Sequence, residues 1–434
     1  MNSFRSARYS LLGLISLCST SAFGQTLDWR SYFSAGANSY SGGQFLEVHP
    51  SGNIYVVGAT AQSLGTSDLL FQRYNSTGTR LWTLTVDGGL QQDNPRDMYV
   101  DGQGDTYVAG DRNDAAPEAT ITKVASWGVV LWSYLGAAKT YQSIKQGSGG
   151  AVVACGTEDG GAQGDNIVLT QLNLSGGLNW QRSFNSGVSW DDVGKSVAVE
   201  GSGNIYVAGT SYPNATDAVM RVLKYSNTGS PLWAKSYTGP RNNAQAFKVV
   251  ANPLGGCVVL GTSGTGADQN LVVSSYDTAG NLVWRDSYTS GANTVDVPVD
   301  LAINSASQVV VSGYGVIGAG NVYATTLLFK SDGSRIYTKR QVVAGTNLVP
   351  TSVALMADGT AYVSANVMPG GFSDAALIKY GPTGTRLFFT SFVVPGINEY
   401  ANRVVADSAG RAVVVGAAQG VSTAYQDLML FRIS

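Results

Sequence analysis

Histidine is nearly missing from this chain of 434 residues: His49 is the only one. A multi-histidine metal site is therefore excluded, and a Ser-His-Asp triad would have to be built around that one residue. His49 instead occupies the turn position that Asp101, Glu200 and Asp407 hold elsewhere in the chain, which reads as structural. Charge is also scarce, at 13% of residues with a net of −2. Without Arg5 and Arg8 the remainder has 25 basic against 29 acidic residues, so the positive field that nucleic acid or an anionic membrane requires is absent. Cysteine is limited to three residues. Cys155 and Cys257 fall in apolar strand segments of repeats that are not neighbours, too far apart for a disulfide, and read as small buried hydrophobes. No apolar run is long enough to span a bilayer as a helix.

What is abundant is glycine, 54 residues, together with Val, Thr, Tyr and Ser. That mixture predicts an all-β protein with many tight turns. The first 24 residues read as a cleaved export signal: Arg5 and Arg8, the apolar stretch Leu11 to Leu17, then Ala22-Phe23-Gly24 before Gln25. Lipidation at Cys18 is disfavoured because Leu17 precedes it. The mature chain is expected to be secreted or periplasmic.

Self-similarity organises the rest. GNIYVVG around Asn53 returns as GDTYVAG at Asp105, GNIYVAG at Asn204, GTAYVSA at Thr360 and GRAVVVG at Arg411, with degenerate copies from Gly150, Gly256 and Gln308. A second phrase follows each, as in RYNSTGTRLW to Trp82, KYSNTGSPLW to Trp233 and SYDTAGNLVW to Trp284. Its aromatic residues are Trp29, Trp82, Trp132, Trp180, Trp233, Trp284, Tyr337 and Phe388, spaced about 51 residues apart. Their one-per-repeat placement predicts packing between repeats. Each unit reads as four short strands without a helical window. This is the signature of a propeller blade. The eighth unit stops after its third strand, DLMLFRIS, and the missing fourth strand is present at the other end as LDWRSYF around Trp29. The expectation is an eight-bladed β-propeller of four-stranded antiparallel blades, closed by the N-terminal strand. Residues 25–434 would form one domain, with blades at about 44–88, 95–138, 141–186, 194–239, 245–290, 297–343, 350–394, and 401–434 plus 27–34.

The repeats resemble the bacterial β-propeller repeat family called SBBP, whose units join a D-x-x-G-N-x-Y-V-x-G strand to a K-Y-x-x-x-G-x-x-x-W strand; Val199 to Gly209 and Lys224 to Trp233 carry the likeness. The resemblance implies scaffolding in exported proteins, although that family is named for seven blades. Thr77-Gly78 to Trp82 and Thr228-Gly229 to Trp233 are similar to the Trp-docking element of quinoprotein-type and BamB-like eight-bladed propellers. No counterpart of the quinoprotein cofactor pocket is found, and no cofactor is expected.

Candidate chemistry is sparse. Gly313-x-Gly315-x-x-Gly318 has dinucleotide-binding spacing but leads into another strand, where a helix N-terminus is needed. Gly194-Lys195-Ser196 looks like the end of a P-loop but lacks the glycine at residue 189. Asp68, Glu118, Asp165, Asp217, Asp374 and Asp427 open the third strand too regularly to form one active site. The informative set stands eight residues before each turn position. Even-numbered repeats carry Asp93, Asp192, Asp296 and Glu399 there, whereas odd-numbered ones carry no acid. Those four carboxylates are expected at the channel mouth, where they could hold Ca²⁺ or form an acidic rim for a basic partner. Trp190 is the candidate exposed aromatic, with Tyr400 second. The expected function is a monomeric, non-catalytic binding or scaffolding module with a protein or glycan partner. Its alternatives are a channel-mouth enzyme (polysaccharide lyase or quinoprotein-like oxidoreductase) and a cell-surface glycan-binding protein.

Overall fold

The computed structural model describes residues 26–434 except 37–38, 64–65, 88–91, 114–116, 188–189, 292–293, 318–320, 370–371, 394–395 and 420–424. The segment read as an export signal and Cys18 lie outside the described residues, as does Gly318.

Thirty-two strands form eight separate four-stranded sheets, all antiparallel, in the order in which the chain lays them down. Blade 1 begins at Tyr40, blade 2 at Asp93, blade 3 at Ala138 and blade 4 at Asp191; blades 5 to 8 begin at Ala244, Val295, Asn347 and Glu399. Each blade's first strand lies innermost and touches the first strands of both neighbours, and blade 8 returns to blade 1. Blade 8 has three strands from the C-terminal segment, and its outermost strand is Leu27–Phe33, paired antiparallel with Gln426–Ile433. Side chains fasten that seam: Arg432 Nε donates to Asp28 Oδ2 at 2.7 Å and Ser434 Oγ to Asp28 Oδ1 at 2.5 Å. Closure from both chain ends leaves no blade short of a strand.

Burial grades from inside to outside according to strand composition. Second strands such as Ile205–Tyr212 and third strands such as Asn166–Leu172 are apolar on both faces, because neighbouring blades cover both. Outermost strands such as Pro231–Tyr237 alternate between half-buried and exposed. Cys155 and Cys257 are free and fully buried in the cores of blades 3 and 5, as their apolar surroundings imply.

The once-per-repeat aromatic docks each blade on the next. Trp82 of blade 1 donates its indole N–H to Ser126 O in blade 2 at 2.9 Å, and Trp132, Trp233 and Trp284 repeat the contact with Leu174, Thr278 and Ser331. The indole lies over the turn glycine. Gly128 has φ +87°, and a Cβ there would come within 2.9 Å of the Trp82 ring, so both backbone sign and space demand glycine. The cation of the K-Y phrase reaches the same turn: Arg73 binds Ser126 O at 2.6 Å, Lys224 binds Thr278 O at 3.0 Å and Arg432 binds Ser76 O at 2.5 Å. The repeat motif thus encodes inter-blade contacts.

Candidate functional site

All eight innermost strands carry a register shift at the same place, for example between Pro95 and Asp97, between Pro298 and Asp300, and between Ala401 and Arg403. One extra residue there changes which side chains face the neighbouring blades and which face the axis. The chemistry of the channel wall follows from this bulge.

The four acids chosen from sequence alignment lie just before it, at the strand starts. Asp192 and Glu399 are completely buried, Asp296 is 1% exposed and Asp93 is 5% exposed. Asp192 accepts from Ser186 N at 2.7 Å and from the Ser211 hydroxyl on the next strand. Asp296 accepts from Ser290 N at 2.8 Å, while its Oδ1 is buried. Burial pushes the Asp296 carboxyl above the usual range, against the hydrogen bonds from Ser290 and the charge of Arg340. Asp93 pairs with Arg112 Nε at 3.4 Å. Glu399 accepts from Arg30 and Tyr32 of the closing N-terminal strand, both at 3.3 Å. The expected solvent-facing acidic rim is therefore corrected: packing between blades covers these carboxylates, and each is used locally. Among the described residues, no three His, Cys, Asp or Glu side chains converge as metal ligands.

The other sequence candidates resolve as follows. His49 shares its Nδ1 with Ser51 Oγ at 2.8 Å inside a tight turn, which is a structural role. Gly313 and Gly315 sit within the strand Val309–Ile317, which is followed by the strand Asn321–Phe329. Lys195 occupies the bulge of the strand Asp191–Val199. Asp165 takes an ion pair from Lys139 at 2.6 Å. Trp190 is only half-buried and Tyr400 likewise, whereas Trp127, in the outer turn of blade 2, is 65% exposed. Trp127 is thus the most exposed aromatic among the described residues, ahead of Phe372, Tyr32 and Phe247.

Sequence alignment missed the charged girdle four and two residues before each turn position. It comprises Asp97, Lys248, Asp300 and Arg403 four residues before the turn, with Glu47 and Lys145 two residues nearer to it. Asp97 on blade 2 accepts from Ser143 Oγ at 2.9 Å, Ile144 N at 3.1 Å and Lys145 Nζ at 2.7 Å, all on blade 3, and from Met98 N. Asp300 on blade 6 repeats the arrangement with Ser352 Oγ at 2.8 Å and Val353 N at 3.0 Å on blade 7, adding Lys248 Nζ from blade 5. Burial pushes both carboxyls up. Lys145 or Lys248, Arg403 and the hydrogen bonds outweigh it and hold them below the usual range. Glu47 accepts from Val100 N at 2.9 Å, and burial raises it to about 7 despite that bond and the charges of Lys145 and Arg403. The available signal was a charge four residues before the turn position in four of the eight units.

One outer edge also differs from the rest. Blade 2 ends in Val130–Gly136, VLWSYLG, whose backbone has no further strand beside it. Seven of the eight outermost strands include a charged residue, and this one has none. Leu135, Val129 and Leu131 are 53%, 51% and 44% exposed beside Trp127.

Comparison with known proteins agrees with the architecture and goes no further. No protein-family model matches the sequence, and no curated protein matches it. The solved Dos1 propeller superimposes with a TM-score of 0.54 at 9% identity, covering 95% of each chain. The polysaccharide lyase Uly1 gives 0.48 at 10% identity over 93% of this chain and 94% of its own, and a protein of unknown function from Dyadobacter fermentans gives 0.45 at 10% identity over 95% and 99%. This chain is a β-propeller. Its likeness to these structures is one of fold.

Proposed function

We propose that this propeller is an exported, non-catalytic binding or scaffolding module that captures an extended, uncharged segment of a partner protein on the outer edge of blade 2. The observation that carries this reading is the edge itself. A free edge strand offers a row of unpaired N–H and C=O groups, and proteins ordinarily protect such edges with charge. The other seven outermost strands follow that rule, and Val130–Gly136 departs from it. Strand addition supplies main-chain hydrogen bonds, while Leu131 and Leu135, two positions apart twice over, offer apolar contacts on one face. The buried carboxylates support a non-catalytic reading, since their oxygens accept bonds that hold strands and blades together.

The test uses a soluble Thr-Val repeat peptide with terminal lysines, added to the full chain and followed by amide hydrogen exchange. Slowed exchange confined to Val130–Gly136, abolished by Leu131→Lys and retained in Leu282→Lys on blade 5, is expected. Peptide protection elsewhere, no binding, or dimerisation through this edge in sedimentation would overturn the proposal. Binding of an oligosaccharide that is lost in Trp127→Ala but kept in Leu131→Lys would favour a glycan-binding protein instead.

A further inference from the structure

We infer that the central channel holds a site for a small oxyanion, carboxylate or phosphate, with the guanidinium of Arg403 as its principal receptor. Arg403 lies just past the bulge in the innermost strand of blade 8. Among the described residues its guanidinium makes no hydrogen bond or ion pair. Its field nevertheless reaches Asp97, Asp300 and Glu47. Those groups stand on blades 2, 6 and 1, and blades 2 and 6 face each other across an eight-membered ring. Asp97, Lys248 and Asp300 hold the same position on their own blades and bond from blade to blade, Asp97 to Ser143 and Asp300 to Lys248 and Ser352, so Arg403 belongs to the same inner ring of side chains.

The acids around it are already engaged. Asp97 and Asp300 each accept four hydrogen bonds, including one from Lys145 or Lys248. They cannot fold onto Arg403 without abandoning the backbone amides of the next blade. Lys195, on blade 4 opposite blade 8, is a second half-buried cation, without a hydrogen bond or ion pair among the described residues, and burial lowers its pKa. The channel wall thus carries Lys145, Lys195, Lys248 and Arg403 against Asp97, Asp300 and Glu47. A half-buried guanidinium with its donors unused among the described residues suits a planar or tetrahedral oxyanion that accepts its paired N–H donors.

Glu47 gives the site a pH response. The charged and titratable groups that act on it are Lys145, Arg403, Asp97 and Tyr99. Below about 7 its carboxyl is neutral and the excess of cations is greater. Oxyanion binding therefore strengthens as pH falls through neutrality.

Titration calorimetry on the full chain, with inorganic phosphate and separately with acetate, tests the site. Acetate, whose charge is the same at both values, is expected to bind more tightly at pH 6 than at pH 8, and the stronger of the two anions at pH 6 identifies the ligand chemistry. Loss of a charge-assisted hydrogen-bond pair predicts about a 10- to 100-fold weakening in Arg403→Gln, with part of the affinity kept in Arg403→Lys. Glu47→Gln should remove the pH dependence of acetate binding while leaving binding intact. Absence of binding by both anions at millimolar concentration overturns the inference, as does equal binding by a folded Arg403→Gln variant. This outcome is independent of the blade 2 edge, which Leu131→Lys probes separately.

Discussion

Trp82 and Trp180 occupy equivalent places in blades 1 and 4, yet their indole N–H groups fare differently. Trp82 Nε1 donates to Ser126 O at 2.9 Å, whereas Trp180 Nε1 is buried without a partner. Replacing either by Phe removes the same ring area over the same kind of turn glycine, Gly128 or Gly229. The difference between the two variants therefore isolates the hydrogen bond. Losing a satisfied bond costs about 1 kcal/mol, and removing an orphaned buried N–H returns at least about 1 kcal/mol. Arg182 stands over the Trp180 ring at 5.7 Å. Weakening that cation–π contact gives back roughly 0.5 kcal/mol. Trp82→Phe should thus be less stable than Trp180→Phe by about 1.5–2 kcal/mol. Urea unfolding followed by far-ultraviolet circular dichroism avoids the altered tryptophan fluorescence. If Trp180→Phe costs as much as Trp82→Phe or more, the docking account of the repeat aromatic is wrong.

Other consequences follow from the same geometry. Gly128→Ala forces a left-handed backbone on alanine and drives a methyl group into Trp82, so a loss of about 2–4 kcal/mol is expected in the same urea assay. Glu47 is a carboxyl whose folded pKa, about 7, lies above its ordinary value of 4.5. Its contribution to stability is fully present below 4.5 and is lost as pH rises through 7. Glu47→Gln should therefore flatten the decline in unfolding midpoint between those pH values. A decline that persists unchanged would place its cause elsewhere.

The architecture was legible because the repeat writes it eight times. The Trp, the turn glycine and the K-Y cation are all inter-blade contacts, so one phrase carries both strand and interface. The split blade was legible for the same reason, since LDWRSYF repeats a fourth-strand phrase out of place. The site was less legible. Alignment placed Asp93, Asp192, Asp296 and Glu399 at equivalent positions, but sequence spacing does not report how deeply a strand start is covered by the next blade. Asp97, Asp300 and Arg403 were hidden by the bulge: each stands just past a register shift, where strict alternation no longer tells which way a side chain faces. Trp127 stood outside the aromatic series; its side chain is exposed although Ser126 and Gly128 of the same turn carry the Trp82 contact.

Hydrogen exchange of the N-terminal strand bears most directly on the ring from which the channel and the outer edges all follow. Amides from Trp29 to Phe33 that pair with Leu428–Arg432 should exchange as slowly as the paired amides of Arg80–Val86 in blade 1, and the two ends of the chain should lose protection together. Exchange of the N-terminal strand within seconds, while Gln426–Ile433 stays protected, would contradict closure by the chain's own first strand.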